Sequence, residues 1–291
     1  MISVFSLYLD FFKFLDQVSE DDPWPLYQRL YLQPHEEFLM AYWRNYDHFD
    51  LDQIAARVRQ IKKADYAQLQ DLIQRQNPSI LAAEALNRCQ AIFPREPQPP
   101  VYLFVGFFSA DGVTVEVGEA QVIALGLERF RDFQDFPLLV SHEYGHFAWR
   151  SLQKDRAAQG PPTLFSKVIS EGISVFFSQL VYPEIPLHRH LFLTPERLQW
   201  CRENQEALLD LAGADLAAPK LIPILFGPGD PDAGIPPRVG YFLARQMLGH
   251  CLAHHGSAIL AENFPGSEIL FRKILEGGIL RRESQEEQAP S

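Results

Sequence analysis

The fold of this chain is decided by residues 138–150, which read LLVSHEYGHFAWR. Apolar residues surround His142, Glu143 and His146, and the helical pattern follows Asp135, a residue type that favours helix N-termini. Side chains four residues apart lie on one face of a helix, so both imidazoles can reach a single ion. The HExxH spacing therefore predicts a helix with a zinc site, with His142 and His146 as ligands. Glu143 is offset sideways, so we expect it to accept a proton from water rather than to bind the metal.

A catalytic zinc ion takes three protein ligands, and Glu171 is the predicted third. It lies within a segment from Leu164 to Val181 whose apolar periodicity indicates a second helix. Residues 155–163 contain Gly-Pro-Pro and can reverse the chain, so we expect the two helices to lie antiparallel with Glu171 facing the histidines. Taken alone, such a glutamate is more often an exposed helix residue. Its place after HEYGH, among apolar and small neighbours, favours the ligand interpretation.

With these motifs, the chain resembles the gluzincin, or thermolysin-like, branch of zinc metallopeptidases. It resembles more closely a bacterial family of predicted zinc-dependent proteases catalogued as a domain of unknown function, over roughly residues 78 to 255. In that family a strand similar to 101–106 precedes the HExxH helix, and a pair similar to Gly240-Tyr241 opens a later helix. The resemblance implies a zincin-like fold, a Zn²⁺ cofactor and a peptide or protein substrate.

The resemblance also implies a mechanism. Zinc would activate a water molecule, Glu143 would act as general base, and Tyr241 is the candidate donor to the oxyanion. A buried core tyrosine is the competing interpretation of Tyr241. Thermolysin-like enzymes carry an Asp four residues after the ligand Glu, where this chain has Val175, so Ser174, a backbone carbonyl or another acid must orient a ligating histidine.

Two other functions remain open on the sequence. The chain could bind zinc and recognise a peptide without cleaving it, or it could be a helical interaction protein in which HEYGH is structural. An intact Glu143 favours the enzyme over the pure binder, because a binder does not need a base beside the metal. Metal content separates both zinc proteins from the interaction protein.

The sequence predicts an α+β fold that is mainly helical. Residues 1–93 are expected to form a helical N-terminal region, residues 94–280 a zincin-like metallopeptidase domain with a small sheet and a helical C-terminal half, and residues 281–291 a disordered tail. The predicted strands are Val101–Phe108, Val113–Val117 and Gln121–Leu125. Met1–Glu20 is expected to be an amphipathic helix rather than a signal peptide.

One strand and several histidines carry further hypotheses. Val113–Val117 is the candidate strand for pairing with an extended substrate above the zinc, with an ordinary hairpin strand as an equal alternative. His250 and His254 form a second pair four residues apart, for which a surface role is favoured over metal binding. His188 and His190 lie in a proline-bounded segment that could face the cleft expected above the zinc.

Composition excludes some classes of partner. A net charge of −11 argues against nucleic acid, because neutralising phosphates requires a basic surface. No apolar run approaches 18 residues, so no membrane span is expected. Cys89, Cys201 and Cys251 are odd in number and far apart, which matches neither a disulfide framework nor a metal-binding pair. We therefore expect a cytoplasmic protein; its oligomeric state is open.

Overall fold

The computed structural model describes residues 3–19, 21–46, 50–107, 111–153, 163–263 and 268–277. By their internal contacts the residues divide into two compact units, Met1–Phe147 and Ala148–Ser291. The boundary falls inside the helix that carries HEYGH. The predicted disordered tail, 281–291, lies outside the described residues.

The first unit contains a sheet of four strands. They are β1 (Val4–Ser6), β2 (Val101–Phe104), β3 (Gly112–Val117) and β4 (Ala120–Gly126). Their order is β1-β2-β4-β3; β1 and β4 run parallel to β2, and β3 runs antiparallel to β4. The three predicted strands correspond to β2, β3 and β4. The prediction of helix from residue 1 was wrong at Val4–Ser6, which pair with β2 instead.

Helices surround this sheet. They are α1 (Tyr8–Gln17), α2 (Trp24–Tyr27), α3 (Glu36–Trp43), α4 (Leu51–Arg59), α5 (Ala67–Arg75), α6 (Pro78–Ile92) and α7 (Phe136–Leu152). A π-helical turn, Gln28–Leu32, and a 3-10 turn, Gln33–His35, join α2 to α3. The side chain of Asp50 caps α4 by accepting from the backbone N–H of Asp52, and Pro78 occupies the first turn of α6, as their residue types predict.

Different helices contact the two faces of the sheet. Phe38 of α3 stacks on Tyr102 with ring centroids 4.3 Å apart. Tyr102 and Val113 lie in one row of the strand register, so the neighbouring Gly112 points to the opposite face. There a β-carbon on Gly112 would lie 3.0 Å from Cγ of Leu139 in α7. The strand β3 therefore contacts the HEYGH helix.

The second unit is helical in its described residues. It contains α8 (Leu164–Val181), α9 (Leu187–His190), α10 (Pro195–Glu203), α11 (Gln205–Gly213), α12 (Ile222–Phe226), α13 (Gly240–Asn263) and α14 (Glu268–Glu276). Thr163 and Ser166 form a reciprocal capping box at the start of α8. Asn204 separates α10 from α11, and α13 is interrupted at Gly256, where φ is 69°.

Among the described residues, α8 has the length and mean hydropathy, 1.3, of a membrane span. However, 72% of that helix is buried within the protein, which is the behaviour of a core helix. Its apolar residues, Leu164, Val168 and Val175, belong to the hydrophobic core of the second unit. The helix is therefore weak evidence for a span.

The architecture agrees with the predicted α+β class, since helices predominate around one small mixed sheet. The finer prediction, a zincin-like fold, stays a prediction.

Candidate metal centre

The two histidines of HEYGH lie within the central part of α7. Their spacing of four residues places both rings on one face of the helix, with centroids 4.9 Å apart and ring planes at 82°. His142 is 2% exposed and His146 is 7% exposed. Imidazoles in this arrangement offer two nitrogen ligands in a site that is largely shielded from water.

Glu171 of α8 completes a group of three possible ligands. One ligand atom each from His142, His146 and Glu171 lie within 4.8 Å of one another, and all three residues are buried. Ligands held at about 2 Å around one tetrahedral ion lie about 3–4 Å apart, so small side-chain adjustments suffice. Two imidazole nitrogens and one carboxylate oxygen form a donor set that suits a divalent transition metal such as zinc.

A lysine compensates the buried carboxylate of Glu171. Lys167 precedes Glu171 by one helical turn, and its ammonium contacts Oε1 of that carboxylate. The same ammonium lies 5.5 Å from the centre of the Phe226 ring, within the range of a cation–π contact. The positive charge of Lys167 therefore offsets the negative charge of this buried carboxylate.

Glu143 lies outside the group of three ligands found among the described residues. Its carboxylate is buried, and Oε2 accepts a hydrogen bond of 2.9 Å from the hydroxyl of Thr114 in β3. Thr114 was not predicted as a site residue. The one signal in the sequence is that Thr114 is a polar residue between Val113 and Val115, and its partner lies 29 residues further along the chain.

The neighbour of Glu143 anchors α7 within the first unit. Tyr144 donates a hydrogen bond of 2.8 Å to the backbone oxygen of Phe93, the residue that follows α6. Burial raises the pKa of the Tyr144 hydroxyl, so the phenol stays protonated and acts as a donor. Ser141 donates to the backbone oxygen of Leu138 at 2.8 Å. The Tyr144 bond therefore ties α7 to the residue that follows α6, whereas the Ser141 bond stays within α7.

Ser174, a predicted partner for a ligating histidine, lies one turn after Glu171 on α8. Its hydroxyl is fully buried and makes no hydrogen bond with any residue that the structure describes. Val175, at the position where thermolysin-like enzymes have an Asp, is buried in the apolar core. The orienting role of Ser174 stays a prediction.

Tyr241 lies in the first turn of α13, directly after Gly240, which opens the helix as predicted. Its ring is partly buried and packs edge to face against Phe192 and Phe226, each with centroids 5.5 Å away. A β-carbon on Gly240 would lie 2.9 Å from the backbone carbonyl of Leu225, so glycine permits this close approach. The role of the Tyr241 hydroxyl as an oxyanion donor stays a prediction.

Other histidines with a sequence hypothesis are His188, His190, His250 and His254, of which His188 is partly buried in α9. His190 is buried, its Nδ1 lies 2.9 Å from the hydroxyl of Ser178, and burial lowers its pKa to about 4. It is therefore a neutral packing residue at ordinary pH. His250 and His254 are exposed on α13 with ring centroids 4.0 Å apart.

Comparison with known proteins shows the family to which the chain belongs. A family model described as "Predicted Zn-dependent protease (DUF2268)" matches residues 58–270, a span that contains β2 to β4, α7 and α8. No match was found among curated proteins or among solved structures. The match confirms the family to which the sequence motifs pointed, and it leaves residues 1–57 outside the matched span.

Proposed function

Because the chain belongs to the predicted Zn-dependent protease family, we propose that it is a zinc-dependent peptidase of the gluzincin type. The observation that carries the proposal is the buried group of His142, His146 and Glu171 on two helices of the matched span. Two nitrogen ligands and one oxygen ligand leave a fourth tetrahedral position for water or substrate. A purely structural zinc site would use four protein ligands instead.

In this proposal zinc supplies polarisation of the peptide carbonyl and lowers the pKa of the attacking water to about 7. Glu143 takes a proton from that water as the water oxygen bonds to the carbonyl carbon. The same carboxyl then delivers the proton to the amine nitrogen as the C–N bond breaks. Tyr241 is the proposed donor that stabilises the oxygen on which negative charge develops.

The proposed substrate is an extended peptide. In the sheet of the first unit, β3 lies at one end of the strand order and pairs with β4 along one edge. A peptide can pair with the other edge by backbone hydrogen bonds, which recognise an extended chain with little regard to its sequence. Thr114 of this strand contacts Glu143, so the same strand runs directly beside the proposed base.

The metal ligands are tested by elemental analysis of purified variants. We expect about one zinc ion per chain in the parent and loss of stoichiometric zinc in His142→Ala and Glu171→Ala, since each removes one of three ligands. His254→Ala is the matched control, because His254 is an exposed histidine with a neighbour four residues away and lies outside the ligand group. Tightly held zinc in both ligand variants would contradict the assignment.

The chemistry is tested by Glu143→Gln in a digest of a broad peptide library. The amide can still hydrogen-bond to water but cannot take its proton, so we expect kcat to fall on the order of 10² to 10⁴ while zinc content and Tm stay near those of the parent. Glu84→Gln, an exposed change on α6, is the control. Near-parental turnover by Glu143→Gln would remove this residue from the mechanism, and a zinc-loaded parent without any cleavage would favour the peptide-binding alternative.

A further inference from the structure

Thr114 and Glu143 form a buried contact that the proposed mechanism has not used. The Thr114 hydroxyl oxygen lies 2.9 Å from Oε2 of Glu143 and 3.1 Å from the backbone oxygen of the same residue. Thr114 is 3% exposed and Glu143 is 4% exposed. A hydroxyl has one proton to donate, and Oε2 is the nearer of its two acceptors.

The position of Thr114 is fixed by the sheet. It pairs with Ile123 of β4, Ile123 pairs with Val101 of β2, and Val101 pairs with Val4 of β1, so the residue belongs to a row that crosses all four strands of this sheet. A β-branched side chain has few χ1 conformations available in a strand. The hydroxyl is therefore held by a rigid backbone with a restricted side chain.

Successive contacts between α7 and β3 recur at similar intervals along the two elements. Gly112 faces Leu139, and Thr114, two residues later, faces Glu143, four residues after Leu139. Two residues of strand advance about 6.6 Å, and four residues of helix advance about 6.0 Å. The two successive contacts therefore agree in spacing, and the close approach at Gly112 places the Thr114 hydroxyl within hydrogen-bonding distance of the carboxylate.

We propose that Thr114 is a positioning residue for Glu143, whose hydroxyl holds Oε2 so that Oε1 is directed to the attacking water. A glutamate side chain has three rotatable bonds, and a base that is displaced by about 1 Å can lose about 10²-fold in rate. Thr114 restricts that freedom from an element other than α7. The role in catalysis rests on the proposed function, whereas the orientation of the carboxylate does not.

Shape and hydrogen bonding can be separated at this position. Thr114→Val keeps the branched shape but removes the donor, and Thr114→Ser keeps the donor but removes the methyl group. Ser141→Ala is the matched control, because it removes a buried hydroxyl from the HEYGH helix that donates only to the backbone oxygen of Leu138. Zinc content, Tm, kcat and KM are measured for all four proteins, with the parent as reference.

We expect Thr114→Val to lower kcat about 10- to 100-fold with less than about a twofold change in KM, and with zinc content equal to that of the parent. Thr114→Ser and Ser141→Ala should stay within about threefold of the parental kcat. A parental kcat in Thr114→Val overturns the proposal. An equal loss in Thr114→Val and Thr114→Ser also overturns it, since packing of the methyl group would then explain the effect.

Crystal structures of the metal-free parent and Thr114→Val supply a measurement that does not depend on activity. We expect a single Glu143 side-chain conformer in the parent. In Thr114→Val we expect this side chain to be displaced or to occupy more than one conformer. An unchanged Glu143 conformer in Thr114→Val overturns the proposal. If a zinc-loaded parent cleaves no peptide, the proposed function fails, and this comparison alone decides whether Thr114 orients the carboxylate.

Discussion

At the scale of single residues, Glu143 and Glu171 are the buried carboxylates of the described chain. Moving a charged group from water into a protein interior costs several kcal/mol. Replacing a buried ion pair with well-packed apolar side chains is therefore often neutral or stabilising. Thr114 compensates Glu143, and Lys167 compensates Glu171. Buried charges that need such support, beside two buried histidines, are more typical of a functional site than of a core built for stability.

The Tyr241 hydroxyl gives a prediction at this scale. In Tyr241→Phe the ring can keep its contacts with Phe192 and Phe226, so any change comes from the hydroxyl. If the phenol donates to the oxyanion, kcat falls on the order of 10- to 10³-fold while zinc content and Tm stay constant. If it is a core tyrosine, stability falls by about 1 kcal/mol and turnover is nearly intact.

Kinetics and a thermal melt of that variant decide between the two roles. Tyr42→Phe serves as the reference for losing a tyrosine hydroxyl far along the sequence from the motif, because its hydroxyl lies 2.8 Å from that of Tyr46. We expect Tyr42→Phe to change Tm and not kcat. An unchanged kcat in Tyr241→Phe would return Tyr241 to the core.

Site residues could be predicted from the sequence where their positions depend on nearby secondary structure alone. The His142 and His146 spacing is set by one turn of helix, so the pair needs no tertiary information. Glu171 required only a second helix and a loop short enough to return the chain. Thr114 could not be predicted, because its meeting with Glu143 depends on strand register and on where α7 packs on the sheet.

At the scale of elements, α8 and α13 approach each other closely at one glycine. A β-carbon on Gly172 would lie 2.7 Å from the backbone oxygen of Ala244 and 3.0 Å from Cβ of Leu248. Backbone atoms cannot yield as a flexible side chain can, so the crossing requires glycine here. Gly172 follows Glu171 directly, and the helix contact therefore also fixes the backbone that carries the proposed ligand.

Gly172→Ala should therefore displace α8 from α13. We expect a loss of about 1–3 kcal/mol in unfolding free energy, as for other overpacked sites, together with weaker zinc binding because the backbone of Glu171 moves. Denaturant unfolding and chelator competition measure the two effects. Gly213→Ala is the matched control: a β-carbon there meets no atom within 4 Å, so we expect a neutral or slightly stabilising change. If Gly172→Ala and Gly213→Ala change unfolding free energy and zinc binding equally, the close approach of α8 and α13 does not require glycine at this position.

Elements were predictable where turn and cap signals were strong. Asp50 caps α4, Pro78 opens α6, and Gly118, with a φ of 58°, follows β3 directly. The strand β1 was missed because its three residues form a strand only by pairing with β2, almost one hundred residues later. Local periodicity cannot report a partner at that distance.

At the scale of the molecule, residues before the family match support the sheet within the first unit. The Tyr31 hydroxyl donates to the backbone oxygen of Val105 at 3.0 Å and accepts from its N–H at 3.1 Å. Trp43 donates to the backbone oxygen of Gly106 at 2.8 Å. Both contacts hold the segment that follows β2 and leads toward β3. The first 57 residues are therefore part of the structure that positions Thr114, although the family model begins at residue 58.

Deletion of residues 1–57 should consequently abolish cooperative folding of the remaining chain. The deletion removes β1 and a set of fully buried aromatic side chains: Phe11, Phe14, Tyr27, Tyr31, Tyr42 and Trp43. Burial of one large apolar side chain contributes about 1.5–3 kcal/mol. The contribution of this set is therefore comparable to the total stability of a protein, about 5–15 kcal/mol. Calorimetry and zinc analysis of residues 58–291 measure the outcome, with deletion of 281–291 as the control that should leave both unchanged. A cooperative melt with parental zinc content in 58–291 would show that the matched family segment folds and binds metal without its N-terminal helices.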